Sequence, residues 1–424
     1  MKHRLGHVLR ARGAALTGAV LLSIVAIIFA RSSALAFDIF SGIFRAHPLL
    51  PLILTPAIVV AVTYITLKFA PEAKGSGIPQ VMAASHRHKP AGGGQLLSLR
   101  TAGFKISGTI AMLLAGGAVG REGPTVQISA AVLTAVYRWF RVPVTSGVII
   151  AGGAAGVAAA FNTPLAGVAF AIEELASAFE QRVAVYVMAT VMLSGLVSLG
   201  LDGDYVYFGA MSVSLSLRSM LMIAPVAGIL GGLAGGLYAR TLVAFSWSRA
   251  PIFRAARQHP LVSALICGLI IALTGEATHG LSWGTGYETT QALLKGHTAS
   301  LLFGPGKFIA SLATALSGAP GGIFAPSLSV GAGLGQLIAQ MFPGASPGAI
   351  VLLGMVGYFT GVVRAPLTAV IIMMEMTANR TMILTLFATA LIADGVSAQI
   401  MRPKLYHTLS RRFHHSEADT NPAR

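Results

Sequence analysis

The chain has 424 residues, with 30 Lys or Arg against 14 Asp or Glu, a formal charge of +16 at pH 7. Only 10% of positions are charged and 54% are hydrophobic, where an average soluble chain is about 25% charged. With a mean hydropathy of +0.74 and an isoelectric point near 10.6, this excludes a solvated globular enzyme, a disordered chain and a nucleic-acid-binding protein, and points to an all-α polytopic membrane protein.

Lys2, Arg4, Arg10 and Arg12 open the chain, so residues 1–12 read as a basic cytoplasmic N-terminus. The apolar run Ala14–Ala30 followed by Ala34-Leu35-Ala36 imitates a cleavable signal peptide, but Arg31 intrudes before the supposed cleavage site, and a first membrane helix is the better reading. Further apolar runs follow at Leu49–Phe69, Ile110–Ala118, Val148–Phe161, Val183–Leu201, Leu221–Leu237, Leu261–Leu273, Ile350–Val363 and Met382–Ala393. Several fall short of the roughly 20 residues that a simple span needs. Glycine, 49 residues in all, clusters at Gly75-Ser76-Gly77, Gly116-Gly117, Gly152-Gly153 and Gly318 to Gly322. Broken helices are therefore expected, because non-helical backbone at membrane depth is tolerated only where protein buries it or it lines an aqueous cavity. The single cysteine, Cys267, sits in an apolar run, so no intrachain disulfide or thiolate metal cluster is possible. Arg402, Lys404, Arg411 and Arg412 place the C-terminus on the same side as the N-terminus.

An internal repeat runs through this pattern. Gly120-Arg-Glu-Gly-Pro124 aligns with Gly322-Ile-Phe-Ala-Pro326, Asn162-Thr-Pro164-Leu165 with Arg364-Ala-Pro366-Leu367, and Glu173 with Glu375, all at an offset of 202 residues. Two related halves, residues 13–215 and 216–402, are followed by a C-terminal helix and tail at 403–424. Interrupted helices at corresponding places in two halves are the pointer to a transporter whose site lies between the repeats. Spacing alone leaves open whether the repeats are parallel or inverted.

Five acidic residues lie in apolar context: Glu122, Glu173, Glu174, Glu375 and Asp394. Asp202 and Asp204, around Gly203, read as solvated loop. A carboxylate at bilayer depth costs about 2.5–3.5 kcal/mol on insertion scales and marks ion paths or proton relays. For Glu173 and Glu375, a packing carboxylate bonded to backbone amides is an equal alternative. Three glycine-rich segments, Gly75-Ser76-Gly77-Ile78-Pro79, Gly120-Arg121-Glu122-Gly123-Pro124 and Gly321-Gly322-Ile323-Phe324-Ala325-Pro326, read as helix starts, since proline in the first turn needs no amide hydrogen. Exposed amides at the positive end of a helix dipole bind an anion without a full positive charge. Any one motif is also compatible with a packing glycine.

Together these motifs, in order and with the late Tyr406, resemble the CLC chloride channel and transporter family over nearly the whole chain. The resemblance implies two inverted repeats of tilted and broken helices, a homodimer with one pathway per subunit, and a multi-pass protein of the bacterial inner membrane with both termini cytoplasmic. It implies that the Ser76 and Tyr406 hydroxyls and the Ile323 and Phe324 amides hold the central anion. Glu122 matches the external gating glutamate and Glu174 the internal proton-transfer glutamate. The candidate anion-binding set is Ser76, Gly77, Ile78, Arg121, Gly123, Ile323, Phe324 and Tyr406. Relatives with proline in place of Ser76 lean toward nitrate. No metal, cofactor or nucleic acid is implied; the transported ions are chloride and protons, and the tail after Tyr406 is too short for nucleotide-binding regulatory domains.

Two departures stand out. Asp394 occupies a helix where the family pattern has no acid, and is read as a polar contact in preference to a second proton site. Lys105 falls at the place of a buried family lysine, but Gln80 and Met82 stand where its carboxylate is expected. The leading function is proton–chloride antiport, with a gated passive chloride channel as the alternative and a fluoride–proton antiporter behind it. An intramembrane enzyme would need a zinc set such as His-Glu-x-x-His or a Gly-x-Ser-Gly nucleophile, and neither occurs.

Overall fold

The computed structural model describes residues 2–86, 94–175, 181–203 and 205–415. Asp204, Arg87 and His88 lie outside the described residues, as does the tail from residue 416. The first half comprises α1 (Lys2–Ala46), α2 (Pro51–Phe69), α3 (Ile78–Ser85), α4 (Leu99–Leu114), α5 (Glu122–Trp139), α6 (Ser146–Phe161), α7 (Pro164–Phe170) and α8 (Gln181–Asp202). The second comprises α9 (Leu217–Trp247), α10 (Pro251–Gln258), α11 (Pro260–Ala277), α12 (Tyr287–Leu294), α13 (Phe303–Leu316), α14 (Phe324–Ala339), α15 (Pro347–Val363), α16 (Pro366–Thr377) and α17 (Ile383–Ile400), and α18 (Leu405–His415) follows. The basic N-terminal positions are continuous with the first span, since α1 runs unbroken through them.

Five helices among the described residues are long and apolar enough to cross a membrane: Leu9–Ala46, Pro51–Phe69, Leu217–Trp247, Pro260–Ala277 and Ile383–Ile400. The shorter ones form the interior. α6 is buried from Gly147 to Phe161 and α15 from Gly348 to Val363, as expected of helices apolar on every side. Close backbone approach builds this core. A Cβ on Gly231 would stand 2.4 Å from the carbonyl carbon of Gly357, and one on Gly235 2.6 Å from that of Gly361, so α9 and α15 meet through small residues. The opposite side of α9 exposes Met222, Ile229, Leu230, Leu233 and Leu237, an apolar stripe suited to lipid.

The repeat read from the sequence is a local two-fold axis in the structure. Gly120 N donates to Gly322 O and Gly322 N donates to Gly120 O, both at 2.8 Å, in an antiparallel bridge. Residues equivalent at an offset of 202 thus bind each other reciprocally, the signature of a two-fold contact. The carboxylates obey the same rule. Glu173 accepts from the amides of Leu367 (3.1 Å) and Thr368 (2.7 Å) at the start of α16, while Glu375 accepts from Leu165 (3.1 Å) and Ala166 (2.7 Å) at the start of α7. Asn162 (φ 56°) and Arg364 (φ 61°), also equivalent, end α6 and α15 in the left-handed conformation. Glu173 and Glu375 are therefore helix-start anchors, satisfying amides that have no partner within their own helix.

Each carboxylate makes two charge-assisted bonds that a carboxamide cannot reproduce, because its NH₂ would face an amide N–H. Glu173→Gln and Glu375→Gln should each lower stability by about 1–3 kcal/mol, read from unfolding in detergent; two variants that unfold like wild type would remove this anchoring role.

Candidate functional site

The glycine-rich segments converge. Gly75 N donates to Ala319 O and Gly321 N to Gly75 O, both at 3.1 Å, beside the Gly120–Gly322 bridge. These bonds bring the starts of α3, α5 and α14 to one place, with their first amides free of intrahelical partners. Gly77 precedes α3 at φ 104°, a conformation that glycine adopts without cost. A Cβ on Gly123 would stand 2.3 Å from Ser76 Oγ and 3.3 Å from Gly322 Cα, so all three strands are in van der Waals contact there.

Around this junction lie buried polar atoms without a protein partner. Ser76 Oγ, Tyr406 Oη and Glu122 Oε1 make no hydrogen bond. Ser76 Oγ does not cap α3, whose start has no side-chain cap bond. Tyr406, at the start of α18, is fully buried and lies near Ser76. Its ring packs on Phe324 at a centroid distance of 6.2 Å, and Phe324 is held in turn by Phe359 (4.8 Å), Phe170 (5.9 Å) and Phe161 (6.5 Å). Buried hydroxyls normally find partners, so these two beside converging helix starts make the junction the candidate anion site.

Glu122, 1% exposed, turns its carboxylate toward the amides of Arg121, Glu122 and Ala325, the last a long contact of 3.4 Å to Oε2. A carboxylate among amides of α5 and α14 stands where a free anion would be stabilised by the same dipoles. Arg121 is turned elsewhere. Its Nη1 donates to Ala30 O at 2.8 Å, and it lines a cavity of about 620 Å³ with Asp38, Tyr207, Trp283 and Tyr287.

Glu174 is wholly buried in the π-helical turn Ala171–Leu175. Lys404 Nζ donates to its Oε1 at 3.1 Å, and Oε2 has no partner. The adjacent Glu173 faces α16 instead, so the two glutamates serve different neighbours. Asp394 accepts from Arg364 Nε at 2.9 Å, and Arg364 Nη1 also donates to Arg402 O at 2.6 Å; Asp394 is thus a polar contact that fastens the chain before α18. Lys105 Nζ donates to the carbonyls of Gly75 (2.8 Å) and Lys74 (3.4 Å), and Gln80 Nε2 to those of Lys74 (2.7 Å) and Glu72 (3.0 Å). The expected carboxylate is replaced by backbone oxygens.

The structure thus brings together Ser76, Gly77, Ile78, Glu122, Gly123, Ile323, Phe324 and Tyr406; the Arg121 amide faces the Glu122 carboxylate while its guanidinium turns to Ala30, and Glu174 lies apart on the π-helical turn. Sequence reading missed Lys307, whose Nζ donates to the carbonyls of Ser282 (3.0 Å), Trp283 (3.1 Å) and Gly284 (2.6 Å). It is Lys105 shifted by the repeat offset, and that arithmetic finds it. No local signal marks Lys404, which lies 230 residues from its partner.

The family model described as voltage gated chloride channel matches residues 57–398. The chain belongs to this family. The H(+)/Cl(-) exchange transporter ClcA of Yersinia pestis bv. Antiqua (strain Angola) is 33% identical over 369 residues, covering 82% of this chain and 75% of the relative. A crystal structure of a slow cyanobacterial Cl-/H+ antiporter superposes with a TM-score of 0.82 at 25% identity, covering 96% of this chain and 99% of that one. A CLC-type fluoride/proton antiporter superposes at 0.78 with 24% identity, covering 94% and 96%, which bears on fold alone. Among the described residues the chain is all-helical, and it superposes on those structures over nearly its whole length.

Proposed function

We propose that the protein exchanges protons for chloride across a bacterial inner membrane. The observation that carries this reading is the Glu122 carboxylate lodged among the amides of α5 and α14, beside the orphan hydroxyls of Ser76 and Tyr406. As an anion, Glu122 competes with chloride for the converging dipoles; as a neutral acid it leaves, so one group opens the anion path and carries the proton at its outer end. Glu174 takes the proton at the inner end. A passive channel needs no second buried carboxylate. Similarity to the Yersinia pestis exchange transporter in sequence, and to the cyanobacterial antiporter in structure, supports the same exchange.

In this reading the amides of Ile323 and Phe324 and the backbone of Gly77, Ile78 and Gly123 frame the anion, and Arg121 attracts anions from the outer cavity. Repeats 13–215 and 216–402 enclose one pathway, two copies form a dimer, and both termini face the cytoplasm, where residues 1–12 and 403–424 carry basic side chains.

Three outcomes are expected in proteoliposomes recording chloride and proton flux together. Glu122→Gln mimics only the neutral gate; it should pass chloride and lose proton coupling, and proton uptake driven by a chloride gradient in this variant would remove the assignment. Glu174→Gln should lower proton flux by roughly a hundredfold or more, as loss of a proton-transfer group does, whereas Glu173→Gln should leave the coupling ratio intact; reversed phenotypes would exchange the two roles. Wild type should favour chloride over nitrate, and Ser76→Pro should shift the ratio toward nitrate by roughly tenfold or more, since a hydrogen bond to a charged group contributes about 1.5–3 kcal/mol. Identical anion ratios in the two proteins would leave Ser76 with no part in selectivity.

A further inference from the structure

The segment between α17 and α18 engages Arg364, Glu174 and Phe324 within six residues. Met401 and Arg402 are fastened through their carbonyls to Arg364 Nη1, at 3.4 and 2.6 Å. The carbonyl of Lys404 begins α18 by accepting from the amide (3.1 Å) and hydroxyl (2.8 Å) of Thr408, which fixes the backbone from which its side chain leaves. Two residues later comes Tyr406, buried against Phe324. The Lys404 side chain is 32% exposed while Glu174 is fully buried, so this ion pair reaches from the wet edge of the protein to an interior carboxylate. It engages Oε1 alone and leaves Oε2 unpartnered.

We propose that Lys404 is a positioning residue for proton transfer: it holds Glu174 by Oε1 so that Oε2 is presented to the incoming proton. The proposal rests on the reading of Glu174 as inner proton acceptor. Hydronium at the inner surface gives its proton to Oε2, leaving water and a neutral carboxyl. The attraction to Lys404 then falls, and the ammonium, already partly exposed, is released to solvent on its flexible stem. Loss of the proton toward Glu122 restores the carboxylate and the pair. Among the described residues, Glu173 and Arg364 are the other charged groups near Glu174, and both are committed elsewhere, to α16 and to Asp394 with Arg402. Of these groups, Lys404 is the cation able to respond to the protonation state of Glu174. Because it shares a six-residue segment with Tyr406, each proton taken up also loosens the anchorage beneath the inner end of the anion path.

The test compares wild type, Lys404→Met, Lys404→Arg, Glu174→Gln and the Lys404→Met/Glu174→Gln double variant in proteoliposomes, reading the ratio of proton to chloride flux and the reversal potential. Lys404→Met should lower the ratio roughly tenfold, less than loss of the acceptor itself, and move the reversal potential toward the chloride equilibrium value. Lys404→Arg should restore most of both, a recovery that a merely structural defect would not show. In the double variant, Lys404→Met should add nothing to Glu174→Gln, as expected when two residues act through one contact. Lys404→Gln, neutral and of similar length, replaces Lys404→Met if the latter fails to assemble. Coupling that survives Glu174→Gln overturns the acceptor reading and the proposal with it. Coupling lost in Glu174→Gln but intact in Lys404→Met, or a Lys404→Met defect that Arg does not relieve, overturns the proposal alone.

Discussion

Backbone polar groups inside a membrane have no water to turn to, and the reciprocal bridge between Gly120 and Gly322 is where this chain meets that constraint. A helix that starts in the protein interior exposes amides whose desolvation costs several kcal/mol each. Two such helices, α5 and α14, start next to the bridge, and α3 is drawn in by the bonds of Gly75 to Ala319 and Gly321. The interrupted backbone is thereby satisfied by its own symmetry mate, and the remaining amides point inward as a shared positive end. Each helix contributes about half an elementary charge at its N-terminus. In the proposed exchange, that total would hold an anion without a lysine at the site. The buried Lys105 spends its ammonium instead on the carbonyls of Lys74 and Gly75, securing the segment that carries Ser76.

Much of this scaffold was legible in the sequence because a two-fold repeat leaves an arithmetic trace. Gly120, Asn162 and Glu173 find their partners by one offset, and each pair proves to be a bridge, a helix end or a helix-start anchor in duplicate. Lys105 with Lys307 obeys the same offset, but lysine beside apolar residues carries no hint that it will bind three carbonyls. Contacts between elements were less accessible. Arg121 precedes Glu122 and its amide faces that carboxylate, but the sequence does not show that the turn into α5 sends its guanidinium to Ala30 O and the cavity lined by Tyr207 and Tyr287. Lys404 and Glu174 meet only because α18 folds back under the first repeat, and no periodicity records that return.

The two halves share a backbone plan but not a chemistry, and the difference falls on the residues that matter. At the offset of 202, Glu122 corresponds to Phe324, Arg121 to Ile323 and Glu174 to Met376. Where the first repeat opens α5 with a carboxylate, the second opens α14 with a ring that packs on Tyr406, Phe161, Phe170 and Phe359. Phe161 continues this aromatic contact to Tyr207 at 5.6 Å, and Tyr207 lines the cavity that Arg121 also lines. One face of the junction therefore carries an ionisable carboxylate, the other a packed and neutral ring.

That asymmetry follows from electrostatics. Two carboxylates at the starts of α5 and α14 would stand against each other across the bridge, and like charges in a low-dielectric site do not both ionise. Whichever remained charged would occupy the shared dipoles, and its neutral partner would still fill space needed by an anion. A single carboxylate leaves the site available whenever that group is protonated. The opposite side carries no such charge: the buried Tyr406 ring packs on Phe324, and its phenol adds no second carboxylate to the junction. Symmetry supplies the converging helix starts, and under the proposed exchange its local failure at Glu122 and Phe324 is what would let one anion and one proton use the same junction in alternation.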